Sequence, residues 1–291
     1  CSKKLEKSEN WIDFTDEVTK PPSDIPTHLV DTVNASRKRN FIKRIILKWH
    51  NQQEEKFIQR CSVVPDSYID KILELLKDGT DSNLSNALSE DSRYLLDVGG
   101  GTGRWSFLSQ RLGLQHVVVD VSNPEHLPLP RNVIYLRASA DDLPLQANAV
   151  TAVTSFEMLE HVRFPEKVIQ EMYRVLKSDG VLLLTTRQYW KTHGSPHDFF
   201  RYTRLGLESL LSSNGFEVIT TIPMGGPASL IATVIDQNVP LLSKPVLKEI
   251  FLYPLWWLAR RIDETFYLSK KSFIELPDTS GWLVFARKLA T

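Results

Sequence analysis

The stretch LLDVGGGTGRWS, residues 95–106, puts one carboxylate and four glycines at the end of an apolar run. Glycine adopts positive φ without strain and carries no Cβ, so Gly99, Gly100, Gly101 and Gly103 let backbone amides come close to a ligand. At the carboxyl end of a first strand, such a turn lies where open α/β sheets bind nucleotides. The dinucleotide pattern G-x-G-x-x-G is not met: counted from Gly99, the third glycine position is Arg104, and counted from Gly101 it is Ser106. The pattern that is met is D-x-G-x-G-x-G, beginning at Asp97. A second carboxylate, Asp120, follows HVVV about 20 residues beyond the turn, where an acid at a strand tip accepts hydrogen bonds from both hydroxyls of a ribose.

A different set of reactive groups lies in HGSPHDFFRYT, residues 193–203. His193 and His197 are candidate general bases, and Asp198 is placed to orient an imidazole. Arg201 either binds an anionic substrate group or braces the loop. The whole segment reads equally well as a hydrogen-bonded lid.

D-x-G-x-G-x-G resembles the first motif of class I S-adenosylmethionine-dependent methyltransferases. VTAVTSFEMLEHVRFPEKVIQEMYRVLKSDGVLLLTT, residues 150–186, closely resembles the fourth-strand, helix and fifth-strand run of the type 11 family of these enzymes. The resemblance implies S-adenosyl-L-methionine as cofactor, held by Asp97, the four glycines and Asp120. It also implies that Ser155 or Phe156 lines the cofactor. In LRASADDLPL, residues 136–145, it makes Ser139, Ala140 and Asp141 the adenine-side residues, although Ala138 and Ser139 stand where Gly and Asp are usual in the family. Leu143 either packs near the ring or belongs to the core. Glu157, Glu160 and His161 form E-x-x-E-H, a spacing that some relatives acting on catechol-type quinone precursors use to hold a divalent metal. In other relatives the same letters are helix-start acids and a packed histidine, so a metal is left open. The core P-H-D-F-F-R-Y-T resembles a segment of type 11 enzymes from bacterial surface-polysaccharide gene clusters. The expected catalytic base is therefore His197, then His161, then His193.

These groups need a parallel sheet to carry them, and from residue 94 short apolar runs alternate with helical segments as such a sheet requires. Strands are expected over 94–98, 116–119, 133–136, 150–154, 181–185, 216–222 and 282–286. Helices are expected over 104–112, 165–176 and 204–213, the last stopped by Asn214-Gly215. The fold class is α/β, a Rossmann-like seven-stranded class I methyltransferase fold with a helical N-terminal extension and an insertion before the last strand. The expected divisions are an arm and helices over 1–90, a cofactor-binding domain over 91–222, an apolar insertion or acceptor-site lid over 223–280, and the final strand over 281–291. Within the first, residues 37–60 and 66–77 read as helices, the former with Phe41, Ile45, Ile46 and Trp49 on one stripe. The insertion is too broken by Lys244, Pro245, Lys248, Glu249 and Pro254 to cross a bilayer as one helix.

Thirty-five basic and thirty-five acidic residues cancel over 291 positions, which removes the field that draws in nucleic acid. Two cysteines, Cys1 and Cys61, supply neither a disulfide framework nor a metal spacing, and a cytoplasmic setting with a peripheral membrane contact as the variant follows. The expected reaction is methylation of a small-molecule acceptor, foremost an oxygen of a sugar or a lipid-linked saccharide. A quinone- or phenol-type acceptor and a peptide side chain are the alternatives. A non-catalytic cofactor-binding partner subunit is the reading of another class.

Overall fold

The computed structural model describes residues 7–8, 11–13, 94–127, 129–130, 133–239, 247–267 and 278–289. The helices expected over 37–60 and 66–77 lie outside the described residues. Among those described, nine strands form one sheet: β1 Lys7–Ser8, β2 Trp11–Asp13, β3 Tyr94–Val98, β4 Gln115–Asp120, β5 Val133–Arg137, β6 Val150–Phe156, β7 Leu176–Arg187, β8 Phe216–Pro223 and β9 Gly281–Lys288. Their spatial order is β1-β2-β5-β4-β3-β6-β7-β9-β8. The seven strands read from the sequence are all present. β3 pairs in parallel with both β4 and β6, and β9 runs antiparallel between β7 and β8.

The two additional strands extend the edge. Trp11–Asp13 pairs in parallel with Tyr135–Arg137, and Lys7–Ser8 folds back on it. Three residues in a polar, proline-flanked stretch carry no alternation that marks a strand, and their order comes from an open sheet edge beside them.

The strands bury both faces. Leu96, Val98, Val117 and Val119 point to one side and join Val168, Ile169 and Met172 of helix α2 (Pro165–Val175) and Leu207 and Leu211 of helix α3 (Arg204–Ser213). Leu95, Ala152, Val181 and Leu183 point to the other and meet Leu108 of the short helix α1 (Ser106–Arg111). Helix α1 starts two residues later than the apolar pattern suggests, because the glycine turn continues through a Gly103 N–H to Gly100 carbonyl bond of 2.9 Å. The insertion folds into α4 (Pro227–Asn238) and α5 (Tyr253–Ile262), the latter continued at both ends by single π-helical turns. Among the described residues no helix is long and apolar enough to cross a membrane.

The order of the sheet decides where a ligand goes. From β3 the chain first adds β4 and β5 on one side and then crosses to add β6 and β7 on the other. Loops leaving the carboxyl ends of β3 and β6 therefore diverge, and a crevice opens between them.

Candidate active site

That crevice is a cleft of about 220 Å³ lined by Asp97, Gly99, Gly100, Gly101, Thr102, Arg104, Trp105 and Phe156. Gly99, Gly101 and Gly103 have φ of 73°, 51° and 67°, the left-handed region that other residues enter only with strain. A Cβ on Gly100 would stand 2.5 Å from Asp97 Oδ2, so the wall there must be bare backbone. Phe156, the last residue of β6, packs its ring 4.7 Å from that of Trp105 at a tilt of 47° and closes the floor.

The residues expected on the cofactor side are placed as follows. Asp97 is fully buried; Thr154 Oγ1 donates to its Oδ1 at 2.9 Å, while Oδ2 has no hydrogen-bond partner and His116 Nε2 stands 3.5 Å away. Asp120 accepts from Gly101 N and from Ser122 N, each at 2.9 Å, so it ties the glycine turn to the tip of β4. Ser139 Oγ donates to Asp141 Oδ1 in a short contact just past β5, and Ala138 N–H reaches the Asp120 carbonyl at 3.1 Å. Ser139, Ala140 and Asp141 thus sit beside Asp120 at the same sheet edge, outside the residues that line the cleft. Gly103 lies behind the turn, against Val133. Leu143 packs in the core, its N–H donating to Glu171.

A nucleoside with a charged amino acid tail fits this donor set. An orphaned buried carboxylate oxygen accepts from an ammonium group, and the bare backbone of Gly99, Gly100 and Gly101 lets the ligand lie close against the turn.

The chain leaving Phe156 leads directly to the second group of side chains. Glu157 has φ of 54°, an uncommon value for a residue with a Cβ. Its carboxylate is held in a close ion pair by Arg187, whose guanidinium also lies 4.3 Å over the Trp190 ring. Burial raises the Glu157 pKa, the Arg187 charge works against that rise, and nearby Glu160 adds to it. Glu160 is fully buried, accepts from Thr186 Oγ1 at 2.9 Å and keeps Oε1 without a hydrogen-bond partner. His161 follows in a single 3-10 turn, Leu159–His161.

The 193–203 loop folds over this turn. Phe199 N and Phe200 N donate to the Glu160 carbonyl at 2.9 and 3.3 Å, and Tyr202 N donates to that of Arg187 at 2.9 Å. The rings of His161 and His193 meet edge to face at 4.5 Å. His161 Nδ1 lies 2.5 Å from the His197 carbonyl and His193 Nδ1 lies 3.2 Å from that of Lys191. A carbonyl partner requires a proton on Nδ1, which leaves Nε2 of each ring as the free acceptor. Burial, and next the His161 neighbour, lower the His193 pKa despite the Asp198 charge. One atom each of Glu160, His161 and His193 lie within 4.8 Å of one another.

The remaining loop residues are placed as follows. Arg201 grips Asp198 with Nη1–Oδ1 at 2.6 Å and Nη2–Oδ2 at 2.9 Å, and its other donors go to carbonyls of Trp190, Lys191 and Phe200. It braces the loop, and with Asp198 held far below the usual carboxylate range by that guanidinium, the pair forms a fixed staple. His197 gives its carbonyl to the cluster, while its exposed ring lies 6.1 Å from that of Phe199. Of the E-x-x-E-H letters, Glu160 and His161 meet, and Glu157 is taken by Arg187. His193 joins them from a loop more than thirty residues on, which no local spacing announces.

Residues 96–184 match a family model described as a methyltransferase domain. A ubiquinone biosynthesis O-methyltransferase of Xanthomonas oryzae pv. oryzae is 39% identical over 101 residues, 32% of this chain and 42% of that protein. An uncharacterized methyltransferase of Mycobacteroides abscessus is 33% identical over 101 residues, 32% of this chain and 39% of that protein. The chain thus spans about two fifths of the length of these curated relatives. Among solved structures, a phosphoethanolamine N-methyltransferase 2 of Haemonchus contortus with S-adenosyl-L-methionine is similar at a TM-score of 0.46 and 20% identity, over 76% of this chain and 53% of that one. The motif at Asp97–Gly103, the strand order around it and the family match agree: residues 96–184 form a methyltransferase domain.

Proposed function

We propose that the protein transfers a methyl group from S-adenosylmethionine to an oxygen of a small-molecule acceptor. The observation that carries this reading is the continuity of the two groups of residues. Six residues of chain, Phe156 to His161, lead from the floor of the cleft to an imidazole whose Nε2 is free to take a proton.

When bound, the cofactor supplies a methyl already activated by its positively charged sulfur. The protein's part is to align donor and acceptor and to keep water out, which is worth roughly 7–11 kcal/mol in favourable cases. Asp97, with Gly99, Gly100 and Gly101, holds the amino acid end; Asp120 stands at the ribose; Trp105 and Phe156 shield the centre. His161 Nε2 accepts the acceptor's hydroxyl proton as the oxygen–carbon bond forms and the methyl–sulfur bond breaks, its electron pair staying on sulfur, and later returns that proton to water. Help of this kind is usually about 10²–10⁴-fold. His193, whose pKa burial lowers, packs edge to face against the His161 ring.

Two acceptor classes differ in what supports them. The P-H-D-F-F-R-Y-T loop supports a sugar or glycolipid hydroxyl. The Glu160–His161–His193 cluster supports a phenol- or catechol-type oxygen, because it is a donor set for a divalent transition ion, and the Xanthomonas relative's name points the same way. Glu160 and the Nε2 atoms of the two histidines would hold such an ion, which would polarise the hydroxyl and take over the base's task.

The test is transfer of labelled methyl from the cofactor to fractionated cell extract, with and without a chelator. Label entering a small molecule supports the proposal, and loss of transfer on chelation selects the phenol reading. Cofactor binding with no transfer to any fraction contradicts it and leaves the partner-subunit reading.

A further inference from the structure

Helix α5 carries its apolar side outward. Ile250, Phe251, Trp257 and Leu258 are 57%, 58%, 63% and 51% exposed, and Pro254 and Ile262 are exposed with them. At about 3.6 residues per turn Pro254, Trp257, Leu258 and Ile262 fall on one stripe of α5 together with Arg261, and Ile250 and Phe251 are exposed in the π-helical turn that leads into it. The opposite side, Leu252, Ala259 and Asp263, is buried. That orientation is fixed: the Asp263 carboxylate accepts from Gly226 N, Ala228 N and Ser229 N at 2.8, 3.0 and 2.9 Å, clamping the end of α5 to the start of α4. A Cβ on Gly226 would stand 2.6 Å from Asp263 Oδ1, so the joint has no slack.

The stripe is chemically one-sided. It holds no acidic residue, and its charge is Arg261, whose guanidinium lies 5.7 Å over the Trp257 ring. Glu264, off the stripe, bonds Arg260 at 2.7 Å and stands 3.9 Å from Arg261. A Trp, a Phe, aliphatic groups and a flanking arginine are what a helix lying in a lipid interface presents. A face one helix wide offers on the order of a few hundred Å², short of the roughly 800 Å² per partner that stable pairing of two copies buries.

The stripe is also wired to the site. Helix α4, on which α5 is clamped, ends with Gln237 Oε1 accepting from Lys191 N at 2.9 Å and Asn238 Nδ2 donating to Tyr189 Oη at 3.4 Å. Those residues begin the loop that carries His193.

We propose that the outward face of α5 seats the protein on an anionic lipid surface, so that a membrane-dissolved acceptor reaches the His161–His193 end of the site. The second half rests on the methyl-transfer reading; the seating itself does not.

The test uses the full chain with vesicles of phosphatidylcholine alone or mixed with phosphatidylglycerol, read by co-sedimentation and by tryptophan emission. The wild type is expected to sediment with the mixed vesicles and shift its emission to the blue. The double substitution Trp257→Ser, Leu258→Ser is expected to cut partitioning about tenfold or more. Arg261→Glu is expected to weaken binding to mixed vesicles and leave binding to neutral ones as it was. Circular dichroism and S-adenosylmethionine titration in the absence of vesicles check that both variants fold and keep their site. Wild-type protein that stays in the supernatant, variants that sediment like the wild type, or a wild-type dimer that the double substitution disperses would each overturn the seating. Vesicle binding by a protein that takes up no cofactor upholds the seating and removes only the methyl-transfer reading.

Discussion

The cofactor-side cleft and the histidine cluster are built from opposite materials. The cleft is built on one contiguous backbone turn: glycines at positive φ, fixed by Asp120 through Gly101 N, beside a carboxylate buried at the end of a central strand. The cluster is side chains from two segments, one a single 3-10 turn after β6 and the other a loop after β7 held down by Arg201. A backbone site depends on a contiguous run of residues and tolerates few changes within it. A side-chain site depends on how two loops meet, and can change its acceptor while the sheet stays the same.

The largest expected effect tests the backbone half. Gly101 has φ of 51°, and nothing lies within 4 Å of where its Cβ would stand, so the Cβ of Gly101→Val enters the cleft without touching protein. Backbone strain costs about 1–2 kcal/mol, leaving a folded chain. Cofactor affinity by calorimetry is expected to fall more than about a hundredfold, near 2.7 kcal/mol. Unchanged affinity would mean that the ligand sits elsewhere.

Next comes the side-chain half. His161→Gln removes the free Nε2 and is expected to lower kcat about 10²–10⁴-fold in steady-state assays, with cofactor affinity as in the wild type. The same loss from His197→Gln, with His161→Gln active, would move the base to the exposed ring and break the proposed division of labour.

A smaller effect concerns the staple. Arg201→Ala strands a nearly buried Asp198 and frees the loop, at about 1.5–3 kcal/mol by denaturant titration, with KM for the acceptor raised more than that for the cofactor.

The smallest is a pH effect on metal-free protein. His193 has a folded pKa below its usual value, so the folded state binds fewer protons than the unfolded one. Stability is then full above the ordinary histidine range, about 6.5, and is lost as pH falls through the folded value. The groups facing the ring are His161, Asp198 and Arg201, and Asp198 titrates far lower. With a third of the side chain exposed, the term is no more than about 1 kcal/mol. His193→Asn should flatten the stability slope between neutral and mildly acid pH.

The same contrast governs what could be read from the letters. Tyr94–Val98 and Arg204–Ser213 come out with the bounds expected, since a buried run before a glycine turn and an amphipathic stretch before Asn214-Gly215 are local signals. β7 is longer than expected, starting at Leu176 where the helical pattern had its last residue, because Asp179 at φ of 61° turns polar KSDG into the strand. The edge strands Lys7–Ser8 and Trp11–Asp13 escaped, having no periodicity of their own. Around the cleft, the lining glycines Gly99, Gly100 and Gly101 and the strand-tip Asp120 that holds Gly101 N are legible because each follows a strand. The meeting of Glu160, His161 and His193, and the burial of one face of α5 rather than the apolar one, depend on tertiary contacts that leave no mark in spacing.

The most direct measurement is calorimetric titration of the folded full chain with S-adenosylmethionine, its demethylated product and NAD. Saturable binding of the first two, competing for one site and abolished by Gly101→Val, with no heat from NAD, is the predicted result. Uptake of NAD with indifference to both sulfur nucleosides would contradict a turn shaped around Asp97 and Gly99–Gly101 for a sulfonium ligand.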